Sequence, residues 1–209
     1  MERKQSTPAW LWATGVLFVA AIATVVVSSL RRPEPPVFTL SSSEPRPHPE
    51  ALTGPDTVTL DARSGDQWTL FDLATGQVVT EGDTWDVGVK RHRLMLNGGT
   101  GFSGNAGAVR LEIPFADVHE APTTGYEQSR VTPGGDTVHS VLDAWYGYDF
   151  FSHLLEPEPV TFALRTADGR YAKLRVLAYY CPGPEPGCMT IEYAYQGNGS
   201  RRVGGAIDD

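Results

Sequence analysis

The run from residue 9 to residue 30, Ala9-Trp-Leu-Trp-Ala-Thr-Gly-Val-Leu-Phe-Val-Ala-Ala-Ile-Ala-Thr-Val-Val-Val-Ser-Ser-Leu30, contains no charged side chain. As a helix rising about 1.5 Å per residue it reaches roughly 33 Å, enough to cross a bilayer core. A cleavable signal peptide has an apolar region of only about 7–15 residues, so the run reads as a retained transmembrane helix. Trp10 and Trp12 fall at one end, where aromatic rings favour the membrane interface. Arg3 and Lys4, offset by Glu2, precede the span and Arg31 and Arg32 follow it, so the positive-inside rule is nearly tied.

Cys181 and Cys188 are the two cysteines, and they bracket Pro182-Gly-Pro-Glu-Pro-Gly187. Cysteines facing each other at the base of a β-hairpin meet the distance a disulfide needs, roughly 4.4–6.8 Å between Cα atoms. Such a bond requires an oxidising compartment, as the periplasm provides. Together with the short N-terminal tail, the pair breaks the tie in orientation. The expectation is a cytoplasmic tail at residues 1–8, a single inner-membrane span at 9–30 and a C-terminal domain in the periplasm.

Residues 33–56 are rich in proline and polar side chains, a composition that favours extended conformations and reads as a spacer, giving a linker over 31–56. Its His48 reads as solvated. Setting aside Glu2, Arg3, Lys4, Arg31 and Arg32 leaves 13 basic against 24 acidic residues, a net charge of −11. That charge repels phosphate backbones, so nucleic acid is excluded as a partner, and it disfavours flat adsorption on anionic lipid.

From Thr57 onward apolar residues recur with period two, and no stretch sustains the 3.6-residue stripe of an amphipathic helix. In Tyr171–Tyr180 the residues Ala172, Leu174, Val176, Ala178 and Tyr180 share one face while Lys173 and Arg175 point away. Met189, Ile191, Tyr193 and Tyr195 alternate likewise. Upstream, Val160–Thr166 leads into Ala167-Asp-Gly-Arg170, where Asp-Gly signals a tight type I′ turn. These three strands predict an antiparallel meander. Further strands are expected at 57–61, 67–72, 77–80, 85–90, 93–96 and 108–112. The fold class expected is all-β, an antiparallel sandwich or barrel-like domain over 57–196, preceded by one transmembrane helix and followed by a loose tail at 197–209.

Gly99-Thr-Gly-Phe-Ser-Gly104 matches the dinucleotide fingerprint in letters only, because Asn105-Ala-Gly-Ala-Val-Arg-Leu111 resumes a strand pattern instead of opening a helix. A glycine loop that exploits positive φ is the better reading. No carboxylate pair or nucleophile elbow stands out, so no catalytic residue is assigned. Among His92, His119, His139 and His153, the last two flank Trp145-Tyr-Gly-Tyr-Asp-Phe-Phe151, an aromatic run of the kind that lines a flat apolar cofactor, although spacing alone favours plain core or interface packing for such a run.

Trp85-Asp-Val-Gly-Val-Lys-Arg-His-Arg93, Leu96-Asn-Gly-Gly-Thr-Gly-Phe-Ser-Gly-Asn-Ala-Gly-Ala108, Pro122-Thr-Thr-Gly-Tyr126, Arg165-Thr-Ala-Asp-Gly-Arg-Tyr-Ala-Lys173 and Thr190-Ile-Glu-Tyr-Ala-Tyr195 run in one order along the chain. In that order they resemble the HmuY family of surface-exposed, all-β, haem-binding proteins over roughly residues 57–196. The resemblance implies non-covalent haem binding between two axial histidines and no enzymatic activity. Phe151-Ser-His153 resembles the surroundings of one ligand, which makes His153 an iron ligand, and His139 is the candidate for the other across a segment shorter than the family's. Methionine ligation elsewhere in the family keeps Met95 and Met189 in view. The family's carriers resemble lipoproteins, whereas here no cysteine lies near residue 30 and a helix stands in the anchor's place. The alternative reading is an accessory subunit of a membrane complex, photosynthetic or respiratory, whose β-domain docks on the periplasmic face without a cofactor.

Overall fold

The computed structural model describes residues 8–30, 34–42, 44–80, 82 and 84–205. The tail expected at 1–8, all but its last residue, and the flanking charges Glu2, Arg3, Lys4, Arg31 and Arg32 lie outside the described residues, as do 206–209. The chain divides into two compact units. One holds the N-terminal segment and residues 148–154, and the other holds the rest.

In the first unit α1 (Ala9–Leu30) is a 22-residue helix whose large side chains are exposed on all sides, from Trp10 and Trp12 to Leu30. A helix apolar all round has no solvent-facing stripe, so its sequence satisfies a lipid or helical environment rather than a half-buried one.

The second unit is antiparallel β. A five-stranded sheet runs in the order β1 (Leu52–Asp61), β13 (Glu185–Gln196), β12 (Tyr171–Cys181), β11 (Thr161–Arg165) and β6 (Gly107–Leu111). A four-stranded sheet runs β3 (Gln77–Val79), β2 (Thr69–Asp72), β4 (Val87–Lys90) and β5 (Arg93–Leu96). Two short ribbons join β7 (Arg130–Val131) to β8 (Thr137–Val138) and β9 (Tyr146–Tyr148) to β10 (Leu155–Pro157). The sheets meet where Phe71 of β2 sets its edge against Tyr193 of β13, with ring centres 5.5 Å apart. Among the described residues no strand of one sheet pairs with a strand of the other, so the architecture is two packed sheets and not a closed barrel.

The predicted meander is β11, β12 and β13, and each predicted strand is present. The first begins at Leu52 and not at residue 57, reaching into the stretch read as linker. From residue 35 that stretch also lies against the domain. Ser41 N–H donates to Thr59 O and Thr59 N–H to Ser41 Oγ, while Arg46 pairs with Asp56 and donates to Ala74 O and Leu73 O. A proline-rich segment cannot build a core, but it can cover the edge strand β1, whose unpaired groups invite a neighbour.

The outer face of the meander needs a correction. Lys173, read as pointing away from the apolar face, is buried on its own side of the sheet, and its Nζ donates to Phe115 O and Val118 O, both at 2.8 Å. The cause is a distant segment returning over that face: Val118, Ala121 and Val203 pack with Ala163 as a second small core. Burial also lowers the Lys173 pKa, since no opposite charge fully offsets the lost hydration. Val203 belongs to the tail expected to be loose, but residues 197–205 are tied down by Arg201 to Ala121 O and by Val203 N–H to His119 O.

Two turns differ in detail. The β11–β12 turn has Gly169 at φ +83°, whereas Asp168 is not at positive φ, so it is not the type I′ turn expected. Asp168 Oδ1 instead accepts from Thr166 Oγ1 and Arg170 N–H, which closes a longer loop. The glycine loop after β5 is a close backbone crossing: a Cβ on Gly98 would stand 2.0 Å from Ala106 O. Strand β6 follows it, which removes the nucleotide reading.

The Cys181–Cys188 disulfide is formed, with 4.9 Å between Cα atoms. The cysteines are not directly opposed. Cys181 pairs with Glu185 across the hairpin and Cys188 with Asp61 on β1, because the register shifts along β12. Closing this eight-residue loop restricts the unfolded chain by about 2.5 kcal/mol in the loop-entropy model. Reduction is expected to lower the urea-unfolding free energy by about that amount, and an unchanged midpoint in reductant would show that the loop is closed equally well without the bond.

Candidate functional site

The segment from residue 139 to residue 157 passes from the most buried to the most exposed aromatic environment of the chain. Its first part is fixed. Trp145 is fully buried, donates Nε1–H to His92 O at 2.7 Å, and packs against Tyr146 and Tyr179 with ring centres 4.8 and 5.8 Å away. A short 3-10 turn, Leu142–Ala144, delivers it.

His139, just upstream, is fully buried. Its Nδ1 accepts the Leu142 N–H at 3.3 Å, which places the ring proton on Nε2, and Nε2 has no hydrogen-bond partner among the described residues. Burial drives the pKa down to about 4, against an opposing pull from Glu127, so the ring is neutral at pH 7. As placed, it is a buried neutral imidazole whose lone-pair nitrogen is already engaged.

His153 differs in every respect. It lies in the loop 148–154, exposed, at φ +58°, a left-handed conformation uncommon outside glycine. The loop is a built turn. Asp149 Oδ1 accepts from Phe151 N–H at 2.9 Å and from Ser152 N–H and Oγ at 2.6 and 2.8 Å, while His153 N–H donates to Asp149 O at 2.9 Å. The Ser152 bonds hold the Asp149 carboxyl below its usual pKa. Tyr148 Oη lies 2.5 Å from His153 Nδ1, and the Phe150 ring is 6.0 Å from the imidazole. Tyr148, Phe150 and Phe151 are 57%, 71% and 55% exposed.

The matching profile is that of the HmuY protein, and it covers residues 64–193. The chain belongs to the HmuY family. Among solved structures, the apo HmuY analogue of Tannerella forsythia matches at 17% identity with a TM-score of 0.55, covering 68% of this chain and 95% of that one. A candidate HmuY-like haem-binding protein of Bacteroides vulgatus matches at 21% identity and 0.53, covering 74% and 97%. Apo PinO of Porphyromonas gingivitis matches at 12% and 0.56, covering 69% and 98%. At these identities the likeness shows the fold. No curated protein matches.

Within this HmuY-family chain His139 and His153 fall in different units. Met189 is buried in the core, and Met95 lies on β5 beside Gly88. Met95 also lines a cleft of about 770 Å³ with Trp68, Trp85 and Phe102, and no histidine borders it. His48 and His119 are exposed, and burial lowers the pKa of the half-buried His92. Among the described residues no three His, Cys, Asp or Glu side chains cluster as a metal site. Two residues that shape the loop were missed in the sequence, Tyr148 and Asp149. The signal for Asp149 was local: an aspartate side chain commonly accepts the backbone N–H two residues on and closes a turn, as it does here with Phe151.

Proposed function

We propose that this HmuY-family protein is held at a membrane by α1 with its β-domain in the periplasm, and that it binds haem non-covalently through His153. The observation that supports this reading is the Tyr148 hydroxyl on His153 Nδ1. An iron-ligating histidine ordinarily gives its second ring N–H to a neighbouring acceptor, which fixes the tautomer and leaves Nε2 as the donor atom. With the tautomer that places the proton on Nδ1, that nitrogen donates to Tyr148 Oη and Nε2 is left for iron, and Phe150 and Phe151 supply apolar surface beside the ring. The residues therefore fit one axial ligand. His139 is the candidate for the second, at the cost of moving its proton to Nδ1 and giving up the Leu142 N–H bond. Bound haem would add its own redox chemistry, and nothing in the chain is assigned a catalytic part in it.

Titrating the full chain in mild detergent with haemin is expected to give a Soret shift. Tyr148→Phe should weaken binding about 10–100-fold, the effect expected for a ligand's orienting partner, and His153→Ala by more, because it removes the ligand itself. No shift in the wild type would remove the haem reading. The accessory-subunit reading draws on one observation, the groove of small residues on α1 formed by Gly15, Ala20 and Ala23 beside Val16 and Val19, a surface that allows close helix packing. Co-purification of a stoichiometric membrane complex, with no Soret shift, would favour it.

A further inference from the structure

We propose that the loop 148–154 enters the headgroup and acyl boundary of the bilayer that α1 spans, with Phe150 and Phe151 as its apolar tips. The inference rests on the reading of α1 as a membrane span.

Three independent observations lead to it. First, the loop exposes Tyr148, Phe150 and Phe151 together, each more than half exposed, while the turn beneath them is closed by Asp149 and Ser152. Three aromatic rings held outward on one short loop form an apolar patch, and ring-bearing side chains gain free energy at a membrane interface. Second, the loop groups with the helix-bearing N-terminal segment in one compact unit and not with the β-domain. Third, both chain paths that leave this unit for the β-domain converge on Tyr180. Leu155, the residue that follows the loop, donates its N–H to Tyr180 Oη at 2.8 Å. Phe38, eight residues past the end of the helix, donates its N–H to Tyr180 O at 3.3 Å, and Val37 bridges the same residue. The point where the loop rejoins the β-domain is therefore also the point where the segment that follows the helix pairs with it.

The helix sequence makes the same point from the other side. Trp10 and Trp12 supply an aromatic belt at its N-terminal end, but Ala23-Thr-Val-Val-Val-Ser-Ser-Leu30 offers none at the other. The loop supplies the missing rings. The driving force is apolar, because the domain's net negative charge gains nothing from anionic lipid and the loop's one carboxylate is bound up in its turn. Insertion therefore needs only a zwitterionic bilayer and is insensitive to salt.

The test uses the full chain, with its disulfide intact, in phosphatidylcholine vesicles, carrying one nitroxide label at a time on Phe150→Cys, Ser200→Cys or Ile22→Cys. Ser200 is exposed and lies four residues beyond Gln196, which pairs with Tyr171 at the opposite end of β12 from Tyr180. The expected result is that collisions with lipid-soluble oxygen dominate at 150 and 22, and collisions with a water-soluble nickel complex dominate at 200. A label at 150 that behaves like the one at 200, while 22 stays in lipid, overturns the insertion and leaves the anchor standing. A label at 22 that is open to nickel overturns the anchor itself, and the insertion with it.

Discussion

Trp145→Ala is expected to lower the unfolding free energy of the β-domain by about 3–5 kcal/mol, the cost of emptying a large buried aromatic site. That is a large share of the roughly 5–15 kcal/mol that holds a domain together. The ring is fully buried, in contact with Tyr146 and Tyr179, and its indole N–H satisfies the His92 carbonyl. Removing it leaves a cavity and takes the indole donor from the part-buried His92 carbonyl at once. Trp145→Phe separates the two terms: most of the apolar area is kept, and the loss is expected to fall to about 1–3 kcal/mol, chiefly the carbonyl's lost donor. The backbone of Trp145 also receives Glu158 N–H, which ties the segment entering the aromatic loop to the segment leaving it. Haemin affinity should therefore fall in Trp145→Ala even though the residue touches neither His153 nor Tyr148. Urea unfolding of both variants, with haemin titration of each, measures the two effects. A Trp145→Ala protein as stable as the wild type would mean that the ring fills no essential space.

The strands were legible because burial on a sheet imposes period two, and Met189, Ile191, Tyr193 and Tyr195 write that period without interruption. The outer face was not legible. Lys173 reads from its strand alone as pointing away from the apolar face, and only the return of residues 115–121 and 201–203 over the sheet buries it there, a contact between positions more than fifty residues apart in the chain. The proline-rich stretch shows the same limit. Its composition says correctly that it builds no core, yet it says nothing about whether it lies along an existing edge. At the site, Phe151-Ser-His153 marks the histidine through its resemblance to the HmuY pattern. The partner that orients it is Tyr148, five residues earlier, a distance that only the turn closed by Asp149 brings together. His139 and His153 looked equivalent as letters beside one aromatic run, but one has its lone pair engaged in the interior and the other presents its ring to the surface.

Two buried groups titrate in opposite senses, and the wild-type chain is expected to hide both. Asp86 is fully buried, accepts Leu73 N–H at 3.1 Å and Ala167 N–H at 2.8 Å, and its pKa is raised to about 7 by burial, with Asp72 and Asp168 adding to the rise. Its folded state holds a proton that the unfolded chain releases near 3.8, so its contribution to stability is complete below 3.8 and is lost as pH rises through 7. His139 behaves oppositely. Burial lowers its pKa from 6.5 to about 4, so its contribution is complete above 6.5 and is lost on acidification. Between about pH 6.5 and 4 the two slopes, each of about 1.4 kcal/mol per pH unit, cancel. Asp86→Asn removes one of them, and its stability is expected to fall relative to the wild type by about 2–3 kcal/mol between pH 6.5 and 4.5. His139→Gln removes the other and should gain a similar amount over the same interval, while its glutamine oxygen can still accept the Leu142 N–H. Urea midpoints at half-unit steps of pH read both. Parallel curves for the two variants would show that neither group carries the charge change assigned to it. The His139 curve bears on function as well, because an imidazole whose pKa is held down to about 4 keeps a neutral nitrogen for iron above that pH wherever the ring can turn.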